Sequence, residues 1–366
     1  MKSKKISILT VVDSISATSM PVNEFVLYRQ RNGYPYRQVL IVCSKEGDDK
    51  VEIPNDIATF YVGTDVKKFR SRLKEIKEEC ASNEESLVCH LHGQKSALAF
   101  FRAARGLRLR EHTLYTVHST YSSRDLKYRL SSCACSLLAK NANCVSHSAY
   151  TEYASWVKRI KGDKMMAIQN GVDFNRIQEA ISGFPKHEEV ADIHKFVCVG
   201  RMIPIKNQQF LVRLMKHLPE SQLILIGKED DKIKELAKTE GVEKRVIMTG
   251  LIPRDEVFRQ LNECGIYVSA SLVEGMPVSV LEAMSAGLIP VISDIAPHKE
   301  VAAAFKLFNT LPLIESDWVQ TIKSYQQLDK SEFIRLSAEL KDSVMQKFSL
   351  EAMHKQYNKI YEKLAE

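Results

Sequence analysis

Short runs of aliphatic and β-branched residues alternate with longer amphipathic stretches along the whole chain. In the first half "KISILTVV" (5–12), "QVLIVC" (38–43), "ATFYVG" (58–63), "SLVCHLHG" (86–93), "TLYTVHS" (113–119), "NCVSHS" (143–148) and "KMMAIQNG" (164–171) predict strands. In the second half "KFVCVGR" (195–201), "QLILIGK" (222–228), "RVIMTG" (245–250), "GIYVSAS" (265–271) and "IPVISD" (289–294) predict five more. Runs such as "LILIG" are apolar on both faces, which marks parallel strands covered by helices on each side. The alternation occurs twice, around a polar break at 181–195 that contains Gly183 and Pro185. This predicts two doubly wound α/β domains. Open α/β sheets bind ligands at the carboxyl ends of their strands. His92-Gly93, His118-Ser119, Asn170-Gly171, Gly200-Arg201, Gly227-Lys228, Thr249-Gly250 and Ser271 fall there, and two sheets so equipped predict a cleft between the domains.

A length of 366 residues suits two domains, each able to build its own core. No apolar run is long enough to span a bilayer. The start, "MKSKKISILTVVDS", resembles a signal peptide, but its apolar run stops at Asp13 with no small-residue cleavage site, so it predicts a first strand. Eight scattered cysteines lack metal or redox spacing, Cys133-Ala134-Cys135 included, and predict free thiols in a reducing, cytoplasmic compartment. Charge is uneven. Residues 1–175 hold 27 Lys/Arg against 18 Asp/Glu, and the remainder 25 against 27. A basic first half points to an anionic partner such as a phosphate-bearing lipid or membrane surface, and no nucleic-acid signature accompanies it. The segment 99–112, with Arg102, Arg105, Arg108 and Arg110 beside Phe100, Phe101 and Leu107, reads as a solvated basic helix face or as a surface resting on an anionic membrane.

Two stretches carry candidate chemistry. In "SLVEGMPVSVLEAMSAGLIPVISD" (271–294) Pro277 suits a helix start and Gly287 the position after its end, predicting a helix over 277–286. Glu274 then lies on the preceding loop and Glu282 inside the helix. Amides around Met276 to Ser279 would face an anion, and Gly275 lets the backbone come close. In "VGRMIPIKNQQFLV" (199–212) a strand ends at Gly200, with Arg201 next and Lys206 just before a helix. Two cations at such a turn suit a diphosphate. Taken singly, the first stretch is also compatible with a helix start whose Glu282 faces solvent, and the second with a solvated loop.

Together, Gly200, Arg201, Lys206-Asn207, Gly250 and the Glu-x7-Glu motif of Glu274 and Glu282 resemble the donor half of glycosyltransferase family 4, retaining enzymes of the GT-B fold common in bacterial cell-surface polysaccharide synthesis. Asn170 to Asp173 matches the family's Asn-Gly-Val-Asp lead into the second domain. The resemblance implies a transferase that moves a sugar from a nucleotide-sugar, a UDP-sugar by preference, to a glycan or lipid-linked acceptor. Arg201 and Lys206 would hold the diphosphate, Glu274 the transferred sugar and Glu282 the ribose. Gly275, Met276, Pro277 and Val278 would meet sugar and phosphate. His118, ending "TLYTV", would lie near the reacting centre, with His92 a weaker candidate. The resemblance implies an acceptor-side domain over 1–175, a nucleotide-sugar domain over 176–349, and a final helix (350–366) packed back on the first through Tyr357 and Tyr361.

The family's Gly-Gly loop after the first strand is replaced by the glycine-free segment 13–25. No Asp-x-Asp metal signature occurs. The adjacent pairs Asp48-Asp49 and Asp230-Asp231 lie in loops, so no metal and no cofactor beyond the donor is expected. A front-face mechanism at a cytoplasmic site, with peripheral contact to the inner face of the plasma membrane, completes the expectation. A GT-B nucleotide-sugar epimerase and a non-catalytic nucleotide-sugar-binding protein are the alternatives. A nicotinamide oxidoreductase is excluded because no Gly-x-Gly-x-x-Gly follows a strand.

Overall fold

The computed structural model describes residues 5–15, 21–45, 53–185 and 187–366. The chain forms two compact units, one of Met1–Gln169 with Met353–Glu366 and one of Asn170–Ala352. Among the described residues, the first unit holds β1 (Lys5–Val12), β2 (Arg37–Val42), β3 (Ala58–Tyr61), β4 (Glu85–His92), β5 (Thr113–Val117), β6 (Asn141–Cys144) and β7 (Met165–Ala167). They form one parallel sheet in the order β3-β2-β1-β4-β5-β6-β7. The second unit holds β8 (Asp192–Val199), β9 (Gln222–Ile226), β10 (Val246–Gly250), β11 (Cys264–Ser269) and β12 (Ile289–Ile292). Their order is β10-β9-β8-β11-β12, again all parallel. Every apolar run read as a strand overlaps one of these twelve. In each sheet the strand order reverses beside the first strand, and the carboxyl ends there are where such folds bind ligands.

The units part at 169/170 and 352/353, not at 175/176 and 349/350. The reason is local. The Val172 amide donates to the Phe348 carbonyl (2.7 Å) and the Leu350 amide to the Val172 carbonyl (3.0 Å), which ties 170–173 to the second unit. A Cβ on Gly171 would lie 2.6 Å from the Ser349 carbonyl carbon, so this crossing has no room for a side chain.

Of the glycine-free segment, residues 16–20 lie outside the described residues, as do Asp48 and Asp49. The Asp13 carboxylate at the end of β1 accepts from the Ser96 amide (2.8 Å), filling the start of the helix Gln94–Ala103. A wide helical stretch, Pro21–Leu27, then buries Val22, Phe25 and Val26. In the segment 99–112, Phe100 is buried and Phe101 and Leu107 pack on the core, leaving its arginines on a solvated face. All eight cysteines are free, and burial pushes Cys43, Cys135, Cys144, Cys198 and Cys264 up to about 12, which makes those five inert.

The first unit's interior contains a buried cation with neutral partners. Arg29 is 1% exposed, donates to His354 Nδ1 (3.2 Å) and the Tyr361 hydroxyl (3.0 Å), and lies over the Tyr361 ring at 4.7 Å. A guanidinium can only donate, so it sets the direction of everything beyond it. Tyr361 accepts from Arg29 and therefore donates to His90 Nδ1 (2.7 Å). His90 then carries its proton on Nε2 and gives it to Thr116 Oγ1 (2.7 Å). Thr116 donates to Asn143 Oδ1 (2.7 Å), and Asn143 to the Tyr357 hydroxyl (2.8 Å). One oriented chain thus ties β4, β5 and β6 to the final helix, Leu350–Ala365.

Burial, then the Arg29 charge, holds His90 and His354 well below their ordinary value of 6.5. Burial and its neighbouring histidines do the same to His92. Burial alone lowers His118 to about 4. In the unfolded chain these groups take protons as pH falls through 6.5, while in the folded chain His118 does so only at about 4 and the other three only well below 6.5. The unfolded state therefore binds more protons in that window, and acid destabilises the fold. The melting temperature is expected to be level above pH 7 and to fall steadily from pH 6.5 toward 4. A flat thermal-melt profile across that range would contradict the neutral-histidine interior.

Candidate functional site

In the second unit three adjacent strands end in glycine. A Cβ on Gly227, just past β9, would lie 2.1 Å from the Gly200 carbonyl oxygen, just past β8. The Gly227 amide donates to the Gly250 carbonyl at 3.2 Å. Bare backbone at these ends leaves space above the sheet. Beyond Gly200 the chain exposes Arg201, whose guanidinium has no ion pair among the described residues, while its carbonyl accepts from Gln208 Nε2 (2.9 Å). A tight turn, Pro204–Lys206, leads through left-handed Asn207 (φ 51°) into the helix Gln208–Leu214.

Lys206 and Glu274, expected to serve different parts of a ligand, hold each other. Lys206 Nζ lies 2.5 Å from Glu274 Oε1, and both side chains are largely shielded. Ser271 Oγ donates to the same oxygen (2.7 Å), and the Leu272 amide donates to the Ile205 carbonyl (2.8 Å), so the two loops lock together. Glu282 is likewise paired, with Arg254 at the start of the helix Arg254–Asn262 that follows β10. Arg254 escaped the sequence reading. The signal was present, since a cation in a helix's first turn opposes the dipole and needs a local anion.

The helix starts at Val278, one residue later than expected, with Pro277 as the preceding cap residue. Consequently the Val278 amide donates to the Met276 carbonyl (2.9 Å) and is committed to a turn instead of facing an anion. Tyr267 Oη donates to Ser279 Oγ (2.8 Å), anchoring this helix start to β11. Sequence reasoning also missed His298. Its Nδ1 lies 2.9 Å from the Ser293 carbonyl, while Ser293 Oγ donates to the Ser271 carbonyl (2.5 Å), so it buttresses the loop bearing Glu274. Burial holds His298 at about 4, and the nearby Glu274 charge opposes that only in part.

In the first unit, His118 follows β5 and His92 ends β4. His92 Nδ1 and His118 Nε2 are 2.8 Å apart. One of the two facing nitrogens carries the proton. His92 Nε2 is buried with no partner, so if it bore the proton an N–H would be orphaned in the interior. A lone pair there is the less costly choice, because orphaned buried donors are the rarer defect. His92 Nδ1–H therefore donates to His118 Nε2, and the half-buried His118 presents Nδ1–H as a neutral donor. Among the described residues no group of three or more His, Cys, Asp or Glu is placed to hold a metal ion.

Two parallel-sheet units with these strand ends define a GT-B protein, and the comparisons agree. A structure of an Anabaena protein, HepE, in complex with UDP and glucose matches 98% of this chain and 100% of its own at a TM-score of 0.74 and 14% identity, which shows the shared fold. Residues 182–355 match the family model described as glycosyl transferases group 1. An Escherichia coli UDP-Gal:alpha-D-GlcNAc-diphosphoundecaprenol alpha-1,3-galactosyltransferase is 24% identical over 70% of this chain and 71% of its own. A capsular polysaccharide biosynthesis glycosyltransferase of Staphylococcus aureus is 25% identical over 77% and 81%. The family match and these relatives show a transferase enzyme of the glycosyltransferase class.

The tautomer is directly measurable by nitrogen NMR of isotopically labelled histidine. His118 is expected to carry its proton on Nδ1 in the native protein and to revert to the Nε2–H form, preferred in water, in His92→Phe. An Nε2 proton on native His118 would overturn the assignment.

Proposed function

We propose that the protein transfers a sugar from a UDP-sugar, with retention of anomeric configuration, to a lipid-linked or glycan acceptor in cell-surface polysaccharide synthesis, as in glycosyltransferase family 4. The observation that carries this reading is the pair of glutamates bracketing one helix start, each held by a cation from another βα connection, Lys206 after β8 and Arg254 after β10. The named relatives support the donor and acceptor classes, since one uses a UDP-sugar and a diphosphate-linked lipid and the other makes capsule.

On this reading the diphosphate docks between Arg201 and Lys206, over the bare backbone of Gly200 and Gly250. Its arrival draws Lys206 away from Glu274, whose freed carboxylate then accepts from a hydroxyl of the transferred sugar. Gly275 and Met276 bring backbone close to sugar and phosphate, with Pro277 shaping the turn. Glu282 keeps Oε1 on Arg254 and offers its second oxygen to the ribose hydroxyls. The C1–O bond to the diphosphate breaks as charge builds on the leaving oxygens, which the two cations and the helix dipole stabilise. In the front-face route a leaving-group oxygen takes the acceptor hydroxyl's proton, and the new bond forms on the face just vacated. The resemblance assigns His118 to the reacting centre, where its N–H suits an oxygen of sugar or acceptor. The cationic clamp supports metal independence, and a lipid-linked acceptor supports work at the cytoplasmic face of a membrane.

Incubation with UDP-sugars and a diphosphate-linked lipid acceptor, read by mass spectrometry and anomeric NMR, tests the reading. An α-sugar donor should give an α-linked product. Inverted product, or epimerised donor without transfer, would sink it.

The two glutamates should separate. Glu282→Gln is expected to weaken UDP binding by about 1.5–3 kcal/mol, the usual worth of a hydrogen bond to a charged group. Glu274→Gln should leave UDP affinity equal or tighter, because it releases Lys206, while lowering the transfer rate. Calorimetry and rate measurements decide this, and equal losses of UDP affinity in both variants would contradict the division of roles.

A further inference from the structure

In the first unit, large apolar side chains left in solvent are concentrated on two helices. Among the described residues, five large hydrophobics of this unit are exposed. Four of them are Leu126 (67%), Leu130 (58%), Trp156 (50%) and Ile160 (65%), and the fifth is Val66. Leu126 and Leu130 lie on the helix Leu126–Leu138, and Trp156 and Ile160 on the helix Ser155–Lys161. Both pairs are spaced i, i+4, which places each pair on one face of its helix.

The two helices are neighbours. The Tyr153 hydroxyl, just before the second helix, lies 2.9 Å from both Ser132 Oγ and Ser136 Oγ. At the other end Lys161 Nζ donates to the carbonyls of Ala139 (2.6 Å) and Lys140 (2.8 Å). The exposed residues also share a sequence pattern, Leu-Lys-Tyr-Arg-Leu at 126–130 and Trp-Val-Lys-Arg-Ile at 156–160. In each, an apolar residue stands on either side of a basic centre.

Charge decides what such a surface suits. Residues 124–130 and 156–164 hold seven Lys/Arg against two Asp/Glu. Arg124, Lys127, Arg159 and Lys164 are exposed and have no ion pair among the described residues. Of the acids, Asp125 is committed to the Tyr128 amide (2.7 Å). A protein partner would need a recess or a dry contiguous patch, whereas here single apolar side chains stand among free cations. That mixture fits a lipid surface, where side chains enter the headgroup layer one by one, cations meet phosphates, and tryptophan is favoured at the boundary.

We propose that the helices Leu126–Leu138 and Ser155–Lys161 form the face by which this enzyme docks on an anionic lipid membrane. Leu126, Leu130, Trp156 and Ile160 insert at the headgroup level, and Arg124, Lys127, Arg159 and Lys164 contact lipid phosphates. Docking here is peripheral and reversible, and no helix among the described residues is long and apolar enough to cross a membrane. The face stands on exposure and charge in one unit, so it holds or fails independently of the donor chemistry proposed above.

The protein carries its own probe, because its two tryptophans are Trp156 and the fully buried Trp318. The full-length chain is titrated with vesicles of phosphatidylcholine alone or mixed with phosphatidylglycerol, followed by sedimentation and tryptophan emission. The expected result is a blue shift and co-sedimentation with the anionic vesicles, weakened by salt. Lys127→Glu with Arg159→Glu should lower vesicle affinity by more than about tenfold, since each basic residue near an anionic surface contributes roughly a fivefold factor and two are lost and reversed in sign. Leu130→Ser with Ile160→Ser should remove the blue shift, with melting temperature and UDP affinity as the checks that the fold is intact. Vesicle binding that is indifferent to these changes, or equal on neutral lipid, would overturn the proposal. Concentration-dependent self-association abolished by the serine variants, with no vesicle binding, would overturn it in favour of a protein interface.

Discussion

A parallel strand covered by helices on both faces has nowhere to put a charged side chain except where the sheet stops. That constraint organises both units. Along the twelve strands the buried interior positions carry no charge, being mostly aliphatic with neutral polar exceptions such as Thr10, His90, Thr116 and Asn143, and the residues of the candidate site collect at or just past the carboxyl ends: His92 and His118 in one sheet, and Arg201 and Ser271 in the other. Gly227 extends the same logic, because a Cβ there would lie 2.1 Å from the Gly200 carbonyl oxygen, and backbone that passes so close to backbone cannot carry one. The site is thus a by-product of covering the sheets.

In the second unit the candidate site is electrostatically closed on itself. Glu274 is neutralised by Lys206, and Glu282 by Arg254. A shielded carboxylate left alone would carry a large desolvation penalty, which each ion pair offsets. On the function proposed above, a ligand would be read by exchange. An anion would take the place of Glu274 at Lys206, and a hydroxyl group the place of the lysine at Glu274. Selectivity would then favour ligands that bring both groups at the right separation, because a ligand with one replaces only half of the ion pair. Beneath this, His298 and Ser293 brace the glutamate-bearing loop, and their burial keeps the support neutral above about pH 4.

Strands were the most legible part of the sequence, because an apolar run bounded by glycine or polar residues has few other uses in a soluble α/β chain. Arg201, Lys206, Glu274 and Glu282 were legible as residues at turns, but their mutual pairing was not, since Lys206 and Glu274 are 68 positions apart. Arg254 and His298 belong to no motif and act through neighbours brought by the fold. The Arg29 chain was invisible for a related reason: nothing in a sequence distinguishes a surface arginine from one that meets Tyr361 across 332 positions. Helix ends were legible to within a residue, and that residue decided whether the Val278 amide faces outward or closes a turn.

The oriented chain from Arg29 to Tyr357 has a consequence for how the molecule is made. Three of its members or partners, His354, Tyr357 and Tyr361, lie far later in the chain than Arg29, His90, Thr116 and Asn143, which emerge from the ribosome well before them. During translation the first unit must therefore wait with an unshielded guanidinium and a dry histidine lacking its donor. The second unit is one contiguous segment, Asn170–Ala352, made before the residues Met353–Glu366 that join the first. Maturation then runs against the order of synthesis, with the earlier-made half completed last.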